Sequence, residues 1–426
     1  MNQFIFESYN FDISEKILNL NYSIDNTYNF TETYIFNFDF VIGYDPIALE
    51  RAIQNLFFMA GVSYFKTYLP KEIVIKAGKL DAPSAQFFAK TWQKGLGELF
   101  YLNQLDPNTP INLPTNIDQR PTITVSSDGL LVGLGGGKDS LVSVELLRDQ
   151  PKVSTWSMGH RSQLEPLVER VGLPHYFVER VWDKQLLELN QSGVYNGHVP
   201  ISAILACAGT VVAILSGNRD VVVSNEASAD ESTLTYHGQQ INHQYSKSSE
   251  FEKDYQDQLL RDFGETERYY SFLRPLSELR ISEIFAQVGL NKYEDVFSSC
   301  NRAFTHLQTE LSWCGNCPKC AFVFLALAPF VRRVQLEAIF GGKNLLLEPS
   351  LEPVYNQLLG IGGNKPLDCV GEIKESRTAM RIIQEHLPEL ARYKFDIPED
   401  YDFREVKDSL LPLELKQILA QKTQEL

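Results

Sequence analysis

The first forty residues alternate apolar and polar side chains in three stretches that are rich in aromatic residues. Such alternation is typical of strands with one buried face, so we predict two or three antiparallel strands separated by Asn/Asp turns. A helix should start at Pro46 with Asp45 as its N-cap, because these residue types favour those two positions. A short strand at 71–78 and a second helix at 81–102 complete this part of the chain.

From residue 129 onward, apolar strands alternate regularly with helices. We predict strands at Leu130–Leu134, 152–158, 175–180 and 220–223, with helices at 139–149, 161–171 and 201–215 between them. Near-continuous β-branched strands between helices indicate a parallel sheet that is covered on both faces. We therefore predict an α/β fold with a doubly wound parallel sheet, whose ligands bind at the carboxyl ends of the strands. Those ends carry Gly135–Ser140, Met158–Gly159 and Ser224–Glu226.

A polar, proline-rich passage at 103–121 is the best linker candidate in the chain. We place the first domain boundary there, near residue 118. The predicted organisation is an N-terminal α+β domain at 1–118, a central domain with the parallel sheet at 119–290, and a helical C-terminal region at 291–426. The tail after about residue 380 is expected to be helical and charged.

Composition narrows the function classes. The chain has 426 residues and a formal net charge of −15, from 39 basic and 54 acidic residues, which disfavours a protein whose main task is to bind nucleic acid. The N-terminus lacks the basic and apolar segments of a signal peptide, and no apolar run approaches the length of a transmembrane helix. We expect a cytoplasmic protein with no nucleic-acid and no membrane partner; the oligomeric state stays open.

The apolar strand at Leu130–Leu134 runs into the glycine-rich segment "GGGKDS". Glycines let backbone amides converge on an anion, and a helix N-terminus adds partial positive charge, so the segment favours phosphate binding. A Walker A loop is excluded, because Val132 stands where its first glycine is required and Asp139 follows the lysine. A dinucleotide fingerprint that starts at Gly133 is excluded by Lys138. The alternative is a structural glycine turn whose Asp139 caps the helix.

The segment resembles S-G-G-x-D-S, the pyrophosphate loop of the PP-loop ATP pyrophosphatases, and departs from it only where Gly135 replaces serine. The resemblance implies an adenine nucleotide alpha hydrolase-like fold that binds ATP and Mg²⁺ through the loop: Gly135, Gly136, Gly137, Lys138, Asp139 and Ser140. Ser140 would donate its hydroxyl to a phosphate, and Asp139 would hold Mg²⁺ or cap the helix. Gripping the β,γ-pyrophosphate suits cleavage between the α- and β-phosphates, which leaves AMP on a substrate carboxylate or carbonyl. For Lys138, a solvated side chain is the alternative.

Four of the six cysteines are clustered with the spacing C-x13-C-x2-C-x2-C. They are Cys300, Cys314, Cys317 and Cys320. Four thiolates at such spacings suit a closed tetrahedral site, so we predict structural Zn²⁺ that staples the nucleotide-binding domain to the helical C-terminal part. An iron–sulfur cluster, a redox or sulfur-transfer pair, and unliganded cysteines remain alternatives.

Five further stretches carry a more specific resemblance. They lie at 224–230, 241–252, 274–285, 312–330 and 360–372. With the glycine loop and the aromatic N-terminal strands, they make the chain similar to the UDP-N-acetylmuramoyl-L-alanyl-L-glutamate epimerases, the MurL family, over roughly residues 1–380. The resemblance implies ATP-dependent inversion of the terminal L-Glu of UDP-MurNAc-L-Ala-L-Glu through an acyl-adenylate, with release of AMP and diphosphate, in peptidoglycan precursor synthesis. Adenylation removes the carboxylate charge that otherwise opposes removal of the α-proton, and an acid and a base can then invert the carbon.

Two polar segments supply candidate ligands for the nucleotide and the substrate. Asn225 and Glu226 end a buried strand at the expected site edge, with a capping or core-satisfying role as the alternative. His243 and Lys247 are placed to meet the triphosphate or the substrate carboxylates, unless they lie in an exposed loop.

Cys369 and Asp368 lie in the polar, glycine-rich stretch "GGNKPLDCVGE". We offer one of them as the acid or base on the α-carbon, with a buried structural thiol as the alternative for Cys369. Cys207 lies in an apolar helix and is expected in the core.

Two other functions compete with the epimerase. One is a carboxylate-adenylating enzyme of the deazaguanine nitrile synthase type, which also joins a PP-loop to a cysteine knuckle, although a tighter one. The other is a non-catalytic adenine-nucleotide sensor, which the missing first serine of the loop keeps open. An amidotransferase is less well supported because no cysteine follows Met1. A tRNA-thiolating enzyme is also less well supported, because the chain is acidic.

Overall fold

The computed structural model describes residues 1–264, 269–302, 310–398 and 400–426. The described strands, in chain order, are β1 (Gln3–Asp12), β2 (Ile17–Ile24), β3 (Tyr28–Phe36), β4 (Glu72–Ile75), β5 (Leu130–Gly133), β6 (Val153–Met158), β7 (His175–Val181), β8 (Asp220–Val223), β9 (Leu234–Tyr236), β10 (Gln239–Ile241) and β11 (Tyr269–Ser271). The described α-helices are α1 (Pro46–Ala60), α2 (Val62–Phe65), α3 (Ala82–Gly95), α4 (Gly97–Leu102), α5 (Lys138–Leu147), α6 (Arg161–Val171), α7 (Lys184–Gln191), α8 (Ile201–Ser216), α9 (Ser249–Phe263), α10 (Glu278–Val288), α11 (Leu290–Tyr293), α12 (Pro318–Leu327), α13 (Arg333–Ile339), α14 (Glu352–Leu358), α15 (Ile373–Gln384) and α16 (Leu413–Gln424).

Nine of the described strands form one sheet, in the order β11-β8-β5-β6-β7-β3-β2-β1-β4. The strands from β11 to β7 pair in parallel. If these five strands are numbered 1 to 5 in chain order, their order across the sheet from β7 to β11 is 3-2-1-4-5. The chain therefore adds strands first on one side of β5 and then on the other. This confirms the predicted mixed α/β fold with a parallel, doubly wound sheet and opens a crevice at the carboxyl end of β5.

Both faces of this sheet are covered by helices. Leu130 and Val132 of β5 enter a core that includes residues of α5, α10 and α12, whereas Leu131 enters a core with residues of α1, α8 and α9. Successive side chains of a strand point to opposite faces, so a strand buried on both sides needs apolar residues throughout. This explains why β5 lacks the alternation seen at the N-terminus.

The N-terminal strands β1, β2 and β3 pair antiparallel, as their alternating sequence predicts. β3 then pairs antiparallel with β7, with Thr33–Phe36 opposite Val178–Val181, so the sheet continues across the boundary predicted near residue 118. A buried ion pair crosses the same join, with Nε of Arg180 2.9 Å from Oε1 of Glu32.

Two helix predictions need correction. Asp45 caps α1 as expected, but the predicted second helix is broken at Leu96 into α3 and α4. Glycines on both sides of Leu96 weaken helix formation there. The tail after residue 380 is helical only in part, because α15 ends at Gln384 and α16 begins at Leu413. The described residues between them hold a 3-10 turn and otherwise irregular chain, in a segment that several prolines interrupt. Among all described residues, no helix is long and apolar enough to cross a bilayer.

Candidate active site

A cavity of about 410 Å³ opens beyond the carboxyl ends of β5, β6 and β8. Its lining contains seven of the candidate catalytic and nucleotide-binding residues, Gly135, Gly137, Asp139, Ser140, Asn225, Lys247 and Cys369, together with Met158 and Ser224 from the predicted strand ends. It also contains residues that the sequence analysis did not select, among them Ser299, Asn301 and Lys319. The fold therefore brings the glycine loop and three segments that are distant from it in sequence into the lining of one cavity.

The glycine loop leads directly into α5. Gly136 has φ +89°, which side-chain-bearing residues rarely adopt, and its carbonyl accepts a hydrogen bond from the amide of Ser298 at 2.9 Å. Gly137 is the N-cap of α5, and no side chain caps the helix. The first amides of a helix have no intrahelical partner, so those of α5 are available to an anion in the cavity. The hydroxyl of Ser140 lies in the same lining and donates to the carbonyl of Gly137 at 3.0 Å.

Lys138 lies outside the cavity lining. Its side chain is 1% exposed, and its ammonium group forms ion pairs with Asp139 and Glu278. Burial alone would lower the pKa of Lys138, but the two carboxylates outweigh it and raise the pKa. The lysine that the sequence analysis placed among the phosphate ligands thus balances buried negative charge beneath the loop.

Carboxylate oxygens of Asp139, Glu226 and Glu278 all lie within 4.8 Å of one another. Burial would raise the pKa of Asp139, yet the nearby charges of Lys138 and Lys319 hold it below its usual value. Burial and the charge of Asp139 raise the pKa of Glu278 to about 7. Clustered carboxylates are the donors that Mg²⁺ prefers, and Asp139 joins this cluster to the cavity wall.

Cys369 contacts two lysines. The Nζ of Lys247 donates to its Sγ at 3.2 Å, and the Nζ of Lys319 donates to its backbone carbonyl at 2.5 Å. Burial would raise the pKa of Cys369, but Lys247, a hydrogen bond from His243 and the charge of Lys319 outweigh it and lower the pKa to about 6. These surroundings therefore favour the thiolate form of Cys369, and thiolates act as bases and nucleophiles.

Asp368 precedes Cys369 in the chain, and both His243 and Asp368 lie outside the cavity lining. The Nδ1 of His243 contacts the carboxylate of Glu98, a residue that the sequence analysis did not select. Asp368 accepts a hydrogen bond from the amide of Asn301, and burial raises the pKa of its carboxyl group. Neither of these two predicted residues therefore lines the cavity in which Lys247 and Cys369 meet.

Arg274 ties two segments of the site together. Its guanidinium is buried and pairs with Glu252, with Nε 3.1 Å from Oε2. Nη1 donates to the backbone carbonyl of Glu226 at 2.7 Å, and Nη2 donates to that of Lys247. This one side chain therefore fixes the backbone at two of the predicted site positions.

The four clustered cysteines converge at the start of α12. The sulfur of Cys317 lies 4.0 Å from that of Cys300 and 3.5 Å from that of Cys320, and the sulfurs of Cys314 and Cys320 are 3.6 Å apart. A tetrahedral ion with Zn–S bonds of about 2.3 Å requires sulfurs about 3.8 Å apart. The donor set and its dimensions therefore fit one closed metal site.

Sequence reasoning missed Glu98, Glu278 and Lys319. Glu98 and Glu278 each stand in the first turn of a helix, where an acidic residue is expected for the helix alone. Lys319 stands between two cysteines of the cluster, so the sequence analysis treated this segment as a metal site and did not consider the lysine separately. Their position in the first turn of a helix is the only local feature from which any of the three could have been selected.

Comparisons with known proteins identify the family of this chain. The family model described as the MurL N-terminal domain matches residues 1–272, and the one described as the MurL C-terminal domain matches residues 296–393. The UDP-N-acetyl-alpha-D-muramoyl-L-alanyl-L-glutamate epimerase of Xanthomonas oryzae pv. oryzae is 40% identical over 382 residues, which cover 88% of this chain and 82% of that protein. Proteins of the same name from Salinispora tropica and Micromonospora sp. are 38% and 37% identical, over 90% of this chain and 85% and 87% of theirs. These matches confirm the resemblance found in the sequence, and the chain belongs to the MurL family.

Proposed function

We propose that this protein uses ATP to convert the terminal L-Glu of UDP-MurNAc-L-Ala-L-Glu into D-Glu, in the synthesis of peptidoglycan precursors. The observation that carries the proposal is the meeting of an uncapped, glycine-rich helix start with a Lys247–Cys369 pair in one cavity. The helix start suits the binding of phosphate, and the Lys247–Cys369 pair suits the removal of a proton from carbon. The names of the three relatives supply the substrate.

The first half of the reaction activates the substrate carboxylate. A carboxylate oxygen attacks the α-phosphorus of ATP, the bond to the bridging oxygen of the β-phosphate breaks, and diphosphate leaves. The amides at the start of α5 and the hydroxyl of Ser140 bind the β,γ-phosphates. Asp139 and Glu226 would hold Mg²⁺, which would neutralise charge on the phosphates, and Asn225, which lines the same cavity, would contact the nucleotide.

The second half inverts the α-carbon of the mixed anhydride with AMP. Cys369, as thiolate, removes the α-proton, and the electron pair moves onto the carbonyl oxygen. The positive charges of Lys247 and Lys319 stabilise the negative charge that develops on this oxygen. As the electron pair returns from the oxygen, a proton derived from solvent adds to the opposite face of the carbon, and the thiol of Cys369 releases the proton it took to solvent. Water finally attacks the carbonyl carbon, and AMP leaves with the anhydride oxygen.

The four cysteines have a separate, structural role in this proposal. Zn²⁺ held by Cys300, Cys314, Cys317 and Cys320 would fix the start of α12. Lys319 lies in the first turn of that helix, so the metal site also sets the position of a cation that contacts Cys369.

The test is a single incubation of the purified protein with Mg·ATP and UDP-MurNAc-L-Ala-L-Glu in D2O. We expect equal amounts of AMP and diphosphate, together with D-Glu that carries deuterium on its α-carbon. A folded protein that releases no AMP and leaves L-Glu protonated would disprove the assignment.

Two ATP analogues sharpen the test. The analogue with a methylene group between the α- and β-phosphorus cannot release diphosphate and should support no epimerisation. The analogue with a methylene group between the β- and γ-phosphorus can still release a diphosphonate and should support it. Equal activity with both analogues would argue against adenylation.

A further inference from the structure

Two imidazoles and a carboxylate meet outside the lining of the cavity described above. Glu98 comes from α4, His198 from the chain just before α8, and His243 from the chain just after β10. One oxygen of Glu98 and one ring nitrogen of each histidine all lie within 4.8 Å of one another. The ring centroids of His198 and His243 are 4.5 Å apart, and Nδ1 of His243 contacts the carboxylate of Glu98. Three segments that are far apart in the chain thus bring three donor atoms together.

The backbone also brings these three segments together. A Cβ atom at Gly97 would lie 3.3 Å from the side chain of Ile241, and a Cβ atom at Gly197 would lie 3.5 Å from that of Leu99. Each of these glycines directly precedes one of the donor residues in the chain. The start of α4 is therefore packed against both segments that carry the histidines, so the meeting of the donors does not depend on side-chain conformation alone.

The donors are largely buried, and the chain around His243 is fixed by hydrogen bonds. The side chains of His243 and Glu98 are 14% and 12% exposed. The amide of His243 donates to Oγ1 of Thr233 at 3.4 Å. Nδ2 of the preceding Asn242 donates to the carbonyl of Ala229 at 2.8 Å. Partial exposure gives an ion from solution access to the donors, and the fixed backbone reduces the entropy cost of ordering them.

The donor set selects the kind of ion. Imidazole nitrogen is a good ligand for Zn²⁺ and neighbouring transition metals, whereas Mg²⁺ and Ca²⁺ prefer oxygen donors. Zinc sites with three protein ligands keep a fourth position for water or another small ligand. Without an ion, a proton between His243 and Glu98 holds their contact, and a bound ion would displace that proton. Two histidines and one carboxylate therefore provide the ligands of an open zinc site.

We propose that Glu98, His198 and His243 bind one divalent transition-metal ion, Zn²⁺, at a site separate from the four cysteines. Binding at this site requires neither ATP nor a substrate. The ion would join α4 to the segment that leads from β10 to Lys247, which follows His243 by four residues and lines the cavity. It would thereby brace one wall of the cavity from outside.

Zinc counting on the full chain tests this site. The purified protein is equilibrated with ZnCl₂ and separated from unbound metal by gel filtration, and zinc per chain is measured by elemental analysis. His198→Asn and His243→Asn should each bind one zinc ion fewer than the wild type. His237→Asn is the matched control, because His237 is 52% exposed in the turn between β9 and β10 and is not one of the donors. The control should bind as many zinc ions as the wild type.

Equal zinc content in the wild type and in folded His198→Asn and His243→Asn would overturn the inference. If the variants do not fold, Co²⁺ decides the question on the wild type. Cobalt bound by the four cysteines absorbs strongly through thiolate-to-metal charge transfer, whereas cobalt bound by the histidines and the carboxylate should add a weaker visible band without that absorption. A wild type that lacks the weaker band at saturating Co²⁺ would equally contradict the site.

The metal count also separates this inference from the proposed function. No ATP or substrate is present, so a protein without epimerase activity gives the same readable zinc content. An active epimerase with no metal at Glu98, His198 and His243 would contradict this inference alone.

Discussion

The Nζ of Lys247 lies 3.2 Å from the Sγ of Cys369, although 122 positions separate the two residues in the sequence. Each group shifts the other toward its charged form, since the thiolate raises the pKa of Lys247 and the ammonium lowers that of Cys369. A neutral thiol would gain little from this contact. The pair thus stabilises a base at the wall of the cavity that the glycine loop enters.

Cys369→Ser should separate the two halves of the proposed reaction. Serine keeps the size of the side chain but is not ionised at neutral pH, so epimerisation and α-deuterium incorporation should fall by about 10² or more. Activation of the carboxylate should persist, measured as substrate-dependent exchange of diphosphate into ATP. Cys207→Ala is the matched control, because Cys207 is buried in α8 and should be dispensable for both halves. A fully active Cys369→Ser would remove the thiol from the mechanism.

The pH profile of epimerisation should report the same thiol. The thiolate must accept a proton, so activity is lost as the pH falls through the lowered pKa of about 6 and is constant above it. Below the midpoint, kcat/KM should fall about tenfold per pH unit. Diphosphate exchange should lack this limb. A midpoint near the ordinary thiol pKa of about 8.5 would contradict the assignment.

The glycine loop offers a pair of adjacent substitutions. Gly136→Ala places a side chain at φ +89° and should lower the free energy of unfolding by roughly 1–2 kcal/mol. Gly135→Ala should leave it unchanged, because a Cβ atom at Gly135 meets no atom within 4 Å. Urea denaturation of both variants measures the difference. Equal stabilities would mean that the loop relaxes to accept the side chain.

The cysteine cluster should contain one zinc ion per chain. Cys320→Ser removes one of four ligands and should lower both the zinc content, measured by elemental analysis, and the thermal stability. Cys369→Ser should retain its zinc, since Cys369 is not part of the cluster. Iron with acid-labile sulfide in the purified protein would instead favour the iron–sulfur alternative.

Lys138 should contribute chiefly to stability through Glu278. Removing one partner of a buried ion pair leaves the other charge unpaired, so Lys138→Met should cost about 3 kcal/mol or more in the free energy of unfolding. Adding Glu278→Gln removes the stranded charge, and the double variant should lose less than the sum of the two single changes. Additive losses in chemical denaturation would indicate that the two residues act independently.

Local sequence patterns were enough to predict most of the strands and helices. The alternation of β1 to β3, the N-cap at Asp45 and the apolar strand β5 each depend on neighbouring residues, and each was predicted. The break at Leu96 was missed because the apolar pattern runs through it. The pairing of β3 with β7 was also out of reach, since it joins residues far apart in the chain.

The candidate site divides in the same way. The glycine loop is contiguous, so its residues could be selected together. Lys247 and Cys369 were selected separately, but their contact and its effect on the thiol pKa depend on the tertiary fold. The direction of the Lys138 side chain depends on Glu278, which no local pattern connects to the loop.

The pairing of β3 with β7 bears on how the chain could be shortened. A strand at the edge of a sheet exposes unpaired amide and carbonyl groups that recruit other chains. A fragment that begins near residue 119 would expose this edge of β7, and a fragment that ends near 118 would expose the matching edge of β3. Both fragments should therefore aggregate when they are expressed alone, and should regain solubility when they are co-expressed.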